Sequence, residues 1–363
     1  MQPRSTGPIA AAAAALLLVA VGAGTPASAA VAWDPSSLTE RYTPSGPPDE
    51  NGRQLYYAYA PSVIESEDAT RIWTCHNSAS GVIEDDIFAT TLVSGQVVTD
   101  ESVLTRSASG WDSFHVCDPS VIRVDAALDG VDYRYAMFYL GNDLDASAHN
   151  QVGVAYAKDL DGPWVKHPDP LVEYTADDTS LWGAGQPSAT TIDAEAGTAM
   201  LFWTEGYGPT KTYRATVNLA GAGGPVLGPK LEITTAGLTG SDGGEDWLNN
   251  ADFAYDPGRD RFFAVREQHP YPTDDPDYIG ASLQVVSIDA ASVWGGGGSW
   301  TVEGTIDPAL TGFARNHNAG LVRTEYGTLP DADTLSVVFT SSCGGCADSL
   351  WQYRLHQMTG ALD

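Results

Sequence analysis

The sequence predicts an all-β fold, a five-bladed β-propeller whose blades are four-stranded antiparallel sheets. A loop delivers a polar residue to the start of a short β-run five times, at YAPSVIES, CDPSVIRVD, GQPSATTID, NNADFAYD and NHNAGLVRT. An aromatic-rich run follows each start. The starts recur every 58 to 68 residues, at the markers Pro61, Pro119, Pro187, Asp252 and Ala319. A fixed period of this length in all-β units is typical of blades around an axis.

Each repeat divides into strands at its turn residues. The second repeat gives four strands, PSVIRVD, YRYAMFYLGND, QVGVAYAKDL and WVKHPDPLVEY, and the third and fourth repeats follow the same pattern. The fifth repeat has only three, AGLVRT, LSVVFTSS and LWQYRLHQM. An unpaired edge in that last blade would invite aggregation. We therefore predict that Ser37 to Thr43 supplies its outer strand, pairing onto Leu350 to Met358 and closing the ring.

The first thirty residues have the features of a signal peptide. They carry one early positive charge at Arg4, an apolar stretch from Ile9 to about Ala23, and small residues from Ala27 to Ala30. The apolar stretch is shorter than the ~20 residues of a membrane span. We therefore expect residues 1–30 to be a signal peptide, and residues 31–363 to form one propeller domain of a secreted, extracellular protein.

The net charge of the chain indicates which kinds of partner it can bind. The chain has 47 acidic and 18 basic residues, a formal net charge of -29. Such a charge repels nucleic acid and anionic membrane surfaces and favours a soluble monomer. The acidic residues are scattered, and 43% of the residues are hydrophobic, enough to fill a core. We therefore expect neither nucleic acid nor membrane as a partner.

Four cysteines in an exported chain favour disulfides. Cys343 and Cys346 form CGGC after a β-run, which indicates a loop-closing bridge, although CxxC also occurs in redox motifs. Cys75 ends the second strand of the first blade and Cys117 opens the first strand of the second. A bridge between these two is favoured over two free thiols. Neither pair has the spacing of a zinc site.

The second repeat also resembles a known family. The phrases DPSVIRVDAALDGVDYRYAMFYLG and NQVGVAYAKDLDGPW are similar to the blade signature of glycoside hydrolase family 43, and also of families 32 and 117. This resemblance implies catalytic carboxylates on the inner strands of the first three blades: a general base, a pKa-tuning residue and a general acid. Asp118 matches the second of these. Ala60 and Gln186 stand where the base and the acid are implied, so the usual triad is incomplete.

Hydrolysis of a glycoside needs two carboxyl groups across the scissile bond, one of them held protonated. Carboxylates at the ends of second strands and at strand starts are the candidates, because these positions lie at one end of the predicted channel. Asp118 with Glu205 is the favoured catalytic pair, with Asp252 and Glu267 as further candidates. Glu84, Asp85 and Asp86 offer carboxylates at the start of a third strand. Each of these could instead cap a turn or form an ion pair.

Candidate substrate-binding residues are polar groups at strand starts and aromatic rings able to stack on sugars. They are Gln186, His76, Trp182, Trp203, Asn249 and Asn318. Tyr207 and Trp247 belong to the same aromatic set, and propeller cores also consume such residues. The resemblance further implies that His317 faces an axial calcium ion or a water cluster, and the alternative is a structural histidine whose hydrogen bonds are satisfied within the fold. No cofactor is required for the chemistry.

Two functions are compatible with these residues. One is a secreted glycoside hydrolase acting on a poly- or oligosaccharide of the arabinose or xylose type. The other is a non-catalytic carbohydrate-binding propeller. Ala60 and Gln186 favour binding, whereas the acidic rim favours hydrolysis. The sugar, its linkage, endo or exo action and the stereochemical outcome do not follow from the sequence.

Overall fold

The computed structural model describes residues 30–144, 148–174, 181–206 and 210–362. The predicted signal peptide, apart from Ala30, and Tyr207 lie outside these residues. Helices in the described part are short, with α1 at Ala290–Gly295 and α2 at Pro308–Thr311. Among those residues, no helix has the length and apolar character needed to cross a membrane. The chain is nearly all-β, as the sequence predicts.

The described part of the chain contains these strands, in chain order: β1 Val31–Trp33, β2 Thr39–Tyr42, β3 Ala58–Glu65, β4 Thr70–Asn77, β5 Asp85–Val93, β6 Gln96–Leu104, β7 His115–Leu128, β8 Val131–Asn142, β9 Gln151–Ala157, β10 Val165–Lys166, β11 Ala184–Asp193, β12 Thr198–Glu205, β13 Lys211–Asn218, β14 Val226–Leu227, β15 Leu231–Glu232, β16 Asp252–Asp256, β17 Arg261–Glu267, β18 Leu283–Asp289, β19 Thr301–Ile306, β20 Arg315–Arg323, β21 Thr334–Ser342 and β22 Arg354–Leu362.

The strands pair as antiparallel meanders that follow the repeats. β3 to β6, β7 to β10 and β16 to β19 each form four-stranded antiparallel arrays, and β11 to β13 continue into the short β14 and β15. β20, β21 and β22 are also antiparallel. A short parallel pairing of β20 with β3, with Val322 opposite Val63, joins the last array to the first in one nine-stranded sheet.

The N-terminal segment pairs with the last strand of the chain. β2 lies antiparallel to β22, with Thr39 opposite Gln357, as predicted for Ser37 to Thr43. β1 also pairs with β22, with Val31 opposite Leu362. The two ends of the chain therefore share one antiparallel array, and β22 gains the partner that the fifth repeat itself lacks.

Near the start of the innermost strand of each repeat lies one residue in left-handed backbone conformation, which we call the strand-start residue. These residues and their φ angles are Ala60 (50°), Asp118 (46°), Gln186 (52°), Asn250 (45°) and Asn318 (38°). A non-glycine residue in this region costs on the order of 1 to 3 kcal/mol, and such strain collects at functional sites. The repeated conformation turns five side chains toward a common axis. They and the residues that follow them line one small cavity of about 40 Å³.

One sequence-based marker is out of register. The sequence pattern places the start of the fourth repeat at Asp252, but Asn250 has the left-handed conformation found at the other four starts. Ala251 occupies the position that is Pro61, Pro119 or Pro187 in the first three repeats. Asp252 therefore corresponds to the serine after each of those prolines.

A buried arginine fills the axis beneath these strand starts. The Arg323 side chain has no exposed surface, and its guanidinium donates to the hydroxyls of Ser62, Ser120 and Ser188 at 3.2 to 3.4 Å. Nη1 also lies 3.2 Å from a carboxylate oxygen of Asp252. Side chains from the first four repeats thus contact one cation from the fifth. We call these five residues, Ser62, Ser120, Ser188, Asp252 and Arg323, the axial hub.

Candidate functional site

A cavity of about 800 Å³ opens above the axial hub, at the end where the innermost strands begin. Its volume is within the usual range of small-molecule sites. Four of the five strand-start residues, Asp118, Gln186, Asn250 and Asn318, line it. Aromatic rings form much of the remaining wall, namely Tyr57, Tyr59, Trp182, Trp247, Tyr271, Tyr278 and Tyr353. The cavity therefore combines convergent polar groups with apolar ring surfaces.

Asp118 lies on the floor of this cavity beside a disulfide. Cys75 and Cys117 are bridged, as predicted, and the backbone N–H of Asp118 donates to Sγ of Cys75 at 3.0 Å. Oδ1 of Asp118 lies 3.4 Å from Sγ of Cys117. Burial, reinforced by the negative charge of Asp85, raises the pKa of Asp118 to about 7. This carboxyl group can therefore hold a proton near neutral pH.

Asp85 is the carboxylate whose charge acts on Asp118. It begins β5 and is buried, accepting hydrogen bonds from the hydroxyls of Tyr57 at 2.5 Å and Tyr59 at 2.8 Å. The backbone N–H of Asp85 donates to Nδ1 of His115 at 2.9 Å. These hydrogen bonds fix the position of the Asp85 carboxylate, whose charge acts on Asp118.

Amide side chains and one glutamate connect the later strand starts. Glu267 has no exposed surface, and its Oε1 accepts from Nδ2 of Asn250 at 2.6 Å and from the backbone N–H of Asn318 at 3.0 Å. Gln186 and Asn250 bond to each other through both their side chains and the Asn250 backbone. Glu267, a sequence-predicted catalytic candidate, thus lies behind the cavity lining and orients Asn250 and Asn318.

The cavity lining also includes a histidine bonded to a buried aspartate. Nδ1 of His269 lies 2.7 Å from Oδ1 of Asp246, and Nη1 of Arg266 lies 2.5 Å from Oδ2. Burial would raise the pKa of Asp246, but the His269 hydrogen bond and the Arg266 charge outweigh burial and lower it to about 2. The His269 ring stacks between Trp247 and Tyr271. Asp246 and His269 were not among the sequence-predicted site residues.

Three sequence-predicted residues lie away from the cavity. Glu205 accepts from Nε1 of Trp203 at 2.7 Å and pairs with Lys230 at 2.6 Å. Trp203 is 1% exposed in the core between the second and third repeats. His76 is also 1% exposed and stacks on Phe88. Side chains alternate between the two faces of a strand, and these rings lie on the face that packs against the neighbouring array. The presence of an aromatic residue in the sequence does not by itself show which face it occupies.

Other predicted residues lie at or near the cavity. Gln186, Trp182, Asn249 and Asn318 line it. Asp252 lines only the small axial cavity, where its carboxylate is held by Arg323, Ser188 and the backbone N–H of Leu321. The placement of Asp252 therefore favours a role in the axial hub.

The described residues do not fit an axial calcium ion. Calcium takes six to eight oxygen ligands, whereas only two carboxylates of the described residues line the small axial cavity, and one of them, Asp252, is already paired with the Arg323 guanidinium. Nδ1 of His317 bonds to Oδ1 of Asn318 at 2.7 Å, and burial lowers the pKa of His317. In the part of the chain that the structure describes, three potential ligand side chains converge only at Cys75, Cys117 and Asp118, and both cysteines are consumed by the disulfide.

Some of the cavity residues that the sequence analysis did not predict could have been recognised from sequence patterns. Asn250 could have been found by aligning Asn250-Ala251 with Asn318-Ala319, since both pairs place an amide before alanine. Tyr57 and Tyr59 lie on either side of Ala58, the first residue of β3, and their spacing of two is the spacing of side chains on one side of an extended chain. Nothing in the spacing of Asp246 and His269 indicates that they meet, because two separate loops, one of them directly after β17, bring them together.

Comparison with known proteins supports this fold. No known family profile and no curated protein matches the chain. A solved family 117 glycoside hydrolase from the marine bacterium Zobellia galactanivorans is similar in structure, with TM-score 0.59, 12% identity and coverage of 93% of this chain and 91% of that one. An α-L-arabinofuranosidase from Podospora anserina gives TM-score 0.53 at 12% identity, covering 92% and 97%. A thermostable family-43 glycoside hydrolase gives TM-score 0.50 at 16% identity, covering 87% and 92%. The chain therefore has the fold of the propeller glycosidases related to family 43.

Proposed function

We propose that this protein is a glycoside hydrolase that acts on a poly- or oligosaccharide, with Asp118 as its general acid. The observation that carries the proposal is a carboxyl group with a pKa of about 7 on the floor of an aromatic-lined cavity of about 800 Å³. A general acid works best when its pKa lies near the operating pH. Asp118 meets that condition through burial and the neighbouring charge of Asp85.

Within this proposal Asp118 protonates the leaving oxygen of the glycosidic bond. Asp85 keeps the proton on Asp118 before the reaction and is itself held by Tyr57 and Tyr59. Asn249, Asn318 and Gln186 donate to or accept from the sugar hydroxyls, and Trp182 supplies an apolar ring face. This division of work resembles glycosidases in which two carboxylates have different environments.

We propose an arabinose- or xylose-type glycan as the substrate class. The similar structures include an α-L-arabinofuranosidase solved with cellotriose, an endo-arabinase from Bacteroides thetaiotaomicron and a Xanthomonas citri enzyme solved with xylotriose. A cavity of about 800 Å³ has room for more than one pentose ring. The net charge of -29 disfavours acidic glycans, because like charges repel.

We also propose that the five arrays are blades of a five-bladed propeller closed by β1 and β2 on β22. The pairings of β1 and β2 with β22 support closure. Export as a monomer after removal of residues 1–30 belongs to the same proposal. It is supported by the apolar N-terminal stretch and by two disulfides, Cys75 to Cys117 and Cys343 to Cys346.

A panel of arabinan, xylan, levan and agar fragments tests the activity. We expect reducing ends to appear with arabinan or xylan, and Asp118→Asn to lower turnover by about 10² or more, the usual contribution of a positioned acid. The matched control is Asp132→Asn, which removes an exposed carboxylate on β8 outside the cavity. Equal turnover of Asp118→Asn and the parent would contradict the assignment.

A non-catalytic carbohydrate-binding propeller is the second candidate. Ala60 occupies the first strand start, so that position contributes no carboxylate to the axis. Calorimetric titration of the same oligosaccharides distinguishes the two functions. Tight binding with no cleavage by the parent protein would favour the binding module.

A further inference from the structure

We propose that His269 is the general base that activates the hydrolytic water, and that Asp246 is the positioning residue that orients it. This inference rests on the proposed hydrolase function and assigns the partner of Asp118. His269 and Asp118 line the same cavity, one from the loop after β17 and the other from the start of β7. The imidazole of His269 would then act as the general base, the role for which Ala60 supplies no carboxylate.

The hydrogen bonds of Asp246 fix the tautomer of His269. The Asp246 side chain has no exposed surface and accepts from Nη1 of Arg266 and from the backbone N–H groups of Trp247 and His269. These donors keep the carboxylate ionised, so it can only accept from Nδ1 of His269, 2.7 Å away. In the neutral ring the proton is therefore on Nδ1, and Nε2 carries the free lone pair.

The orientation of the ring is fixed by stacking. The His269 centroid lies 4.0 Å from that of Trp247 and 4.5 Å from that of Tyr271, with interplanar angles of 22° and 21°. The hydroxyl of Tyr271 is held in turn by Nδ2 of Asn249. The side chain of His269 is 15% exposed. Among the described residues no group bonds to Nε2, which leaves it available to a water molecule in the cavity.

The other titratable groups of the cavity are less suited to this role. Nδ1 of His115 accepts the backbone N–H of Asp85, so a neutral His115 carries its proton on Nε2 and offers no lone pair to the cavity. Asp85 is engaged by two tyrosine hydroxyls. Asp118 is the proposed proton donor. Among these groups His269 is therefore best suited to be the base, because no donor in the described part of the chain bonds to its Nε2.

The proposed step balances as follows. Nε2 of His269 takes a proton from water while the water oxygen forms a bond to the anomeric carbon. The bond from that carbon to the leaving oxygen breaks, and its electron pair accepts the proton of Asp118. The products are a hemiacetal and an alcohol, with Asp118 ionised and His269 protonated. Transfer of one proton through solvent restores both groups.

Leaving-group dependence separates the two roles. We would assay phenyl and dinitrophenyl α-L-arabinofuranosides and β-xylosides with the parent, Asp118→Asn and His269→Gln. A dinitrophenolate leaves without protonation, so Asp118→Asn should lose about 10² in kcat on the phenyl substrate and far less on the dinitrophenyl one. His269→Gln should lose about 10² on both, because each needs an activated water. Azide, a nucleophile that needs no deprotonation, should restore turnover of His269→Gln.

His149→Gln is the matched control. Nδ1 of His149 also lies 2.7 Å from an aspartate oxygen, that of Asp143, but His149 does not line the cavity. This variant should keep the parent kcat. If His269→Gln turns over within threefold of the parent, the base assignment is overturned and the proposed function stands. If the parent cleaves neither aryl glycosides nor the polysaccharide panel, the proposed function fails, and the base assignment fails with it.

A spectroscopic readout tests the tautomer without activity. In a long-range ¹H–¹⁵N correlation spectrum of the parent, the signals missing from His269→Gln identify the ring. In the neutral form of the ring we expect the proton on Nδ1. A proton on Nε2 in the neutral form would overturn the inference, whatever the kinetics show.

Discussion

The backbone N–H of Asp118 donates a hydrogen bond to Sγ of Cys75, 3.0 Å away, across two neighbouring strand arrays. Cys75 ends β4, and its disulfide partner Cys117 immediately precedes Asp118 in β7. The bridge therefore holds both the strained backbone of Asp118, with φ of 46°, and the position of its carboxyl group. A structural disulfide and a proposed catalytic residue thus form one local unit.

Removing this bridge should impair both stability and proton transfer. The bridge spans 42 residues, so the Cys75→Ala/Cys117→Ala variant should lose about 4 kcal/mol of unfolding free energy by the chain-entropy account. The high-pH limb of kcat/KM should also move, because Asp118 loses its fixed surroundings. Urea denaturation and a pH–rate profile measure the two effects. Cys343→Ala/Cys346→Ala is the control, since that bridge closes a separation of only 3 residues and should leave the limb unchanged.

The pKa of Asp118 should appear in the pH dependence of stability. The folded-state pKa, about 7, lies above the ordinary value of 3.8, so the folded protein retains a proton that the unfolded chain releases between about pH 4 and pH 7. The stability contributed by this group is present below pH 4 and declines as the pH rises through that window. Asp118→Asn should therefore gain on the order of 1 to 3 kcal/mol relative to the parent between pH 5 and pH 8. Chemical denaturation at each pH measures this difference, and a constant offset would contradict it.

The axial hub should depend on Arg323 and not on calcium. Arg323→Met leaves the Asp252 carboxylate buried without its cation and should cost about 3 to 5 kcal/mol. Adding Asp252→Asn to that variant should recover part of the loss. Arg71→Met removes an exposed pair with Asp161 and should cost at most about 1 kcal/mol. The melting temperature of the parent should not change with EDTA, and a fall on chelation would mean that a bound metal contributes.

Glu205 should be dispensable for turnover. Its carboxylate is held by Lys230 and by Nε1 of Trp203 outside the cavity. Glu205→Gln should therefore keep kcat within about threefold of the parent, while thermal stability falls slightly because an ion pair is lost. Kinetics on the substrate cleaved by the parent measure this. A hundredfold loss would return Glu205 to the proposed catalytic set.

The N-terminal strands should be needed to complete the fold. A protein beginning at residue 43 lacks β1 and β2 and leaves the edge of β22 unpaired. We expect it to melt at a lower temperature and to aggregate more readily than a protein beginning at residue 31. Light scattering during a thermal ramp compares the two. Equal behaviour would contradict the proposed closure.

The strand order was predictable from sequence, whereas the site was predictable only in part. Period-two patterns and turn residues located the strands, and the polar starts at Asp118 and Gln186 were found because each directly precedes a proline that opens a β-run. The fifth start was placed at His317, one residue before Asn318, which has the left-handed conformation. The fourth start was placed at Asp252 because Ala251 replaces the proline that marks the first three, although Asn250 has the equivalent backbone conformation. His269 and Asp246 meet through tertiary packing, which no local pattern records.

The position of Arg323 late in the chain has a consequence for how the protein folds. Its partner Ser62 lies 261 residues earlier, and Ser120 lies 203 residues earlier. Until the fifth repeat has been synthesised, the inner hydroxyls and the Asp252 carboxylate have no cation to converge on. The repeats therefore cannot acquire full stability one after another, as the units of a solenoid can. We expect the molecule to unfold in a single cooperative transition, with its earliest and latest repeats lost together.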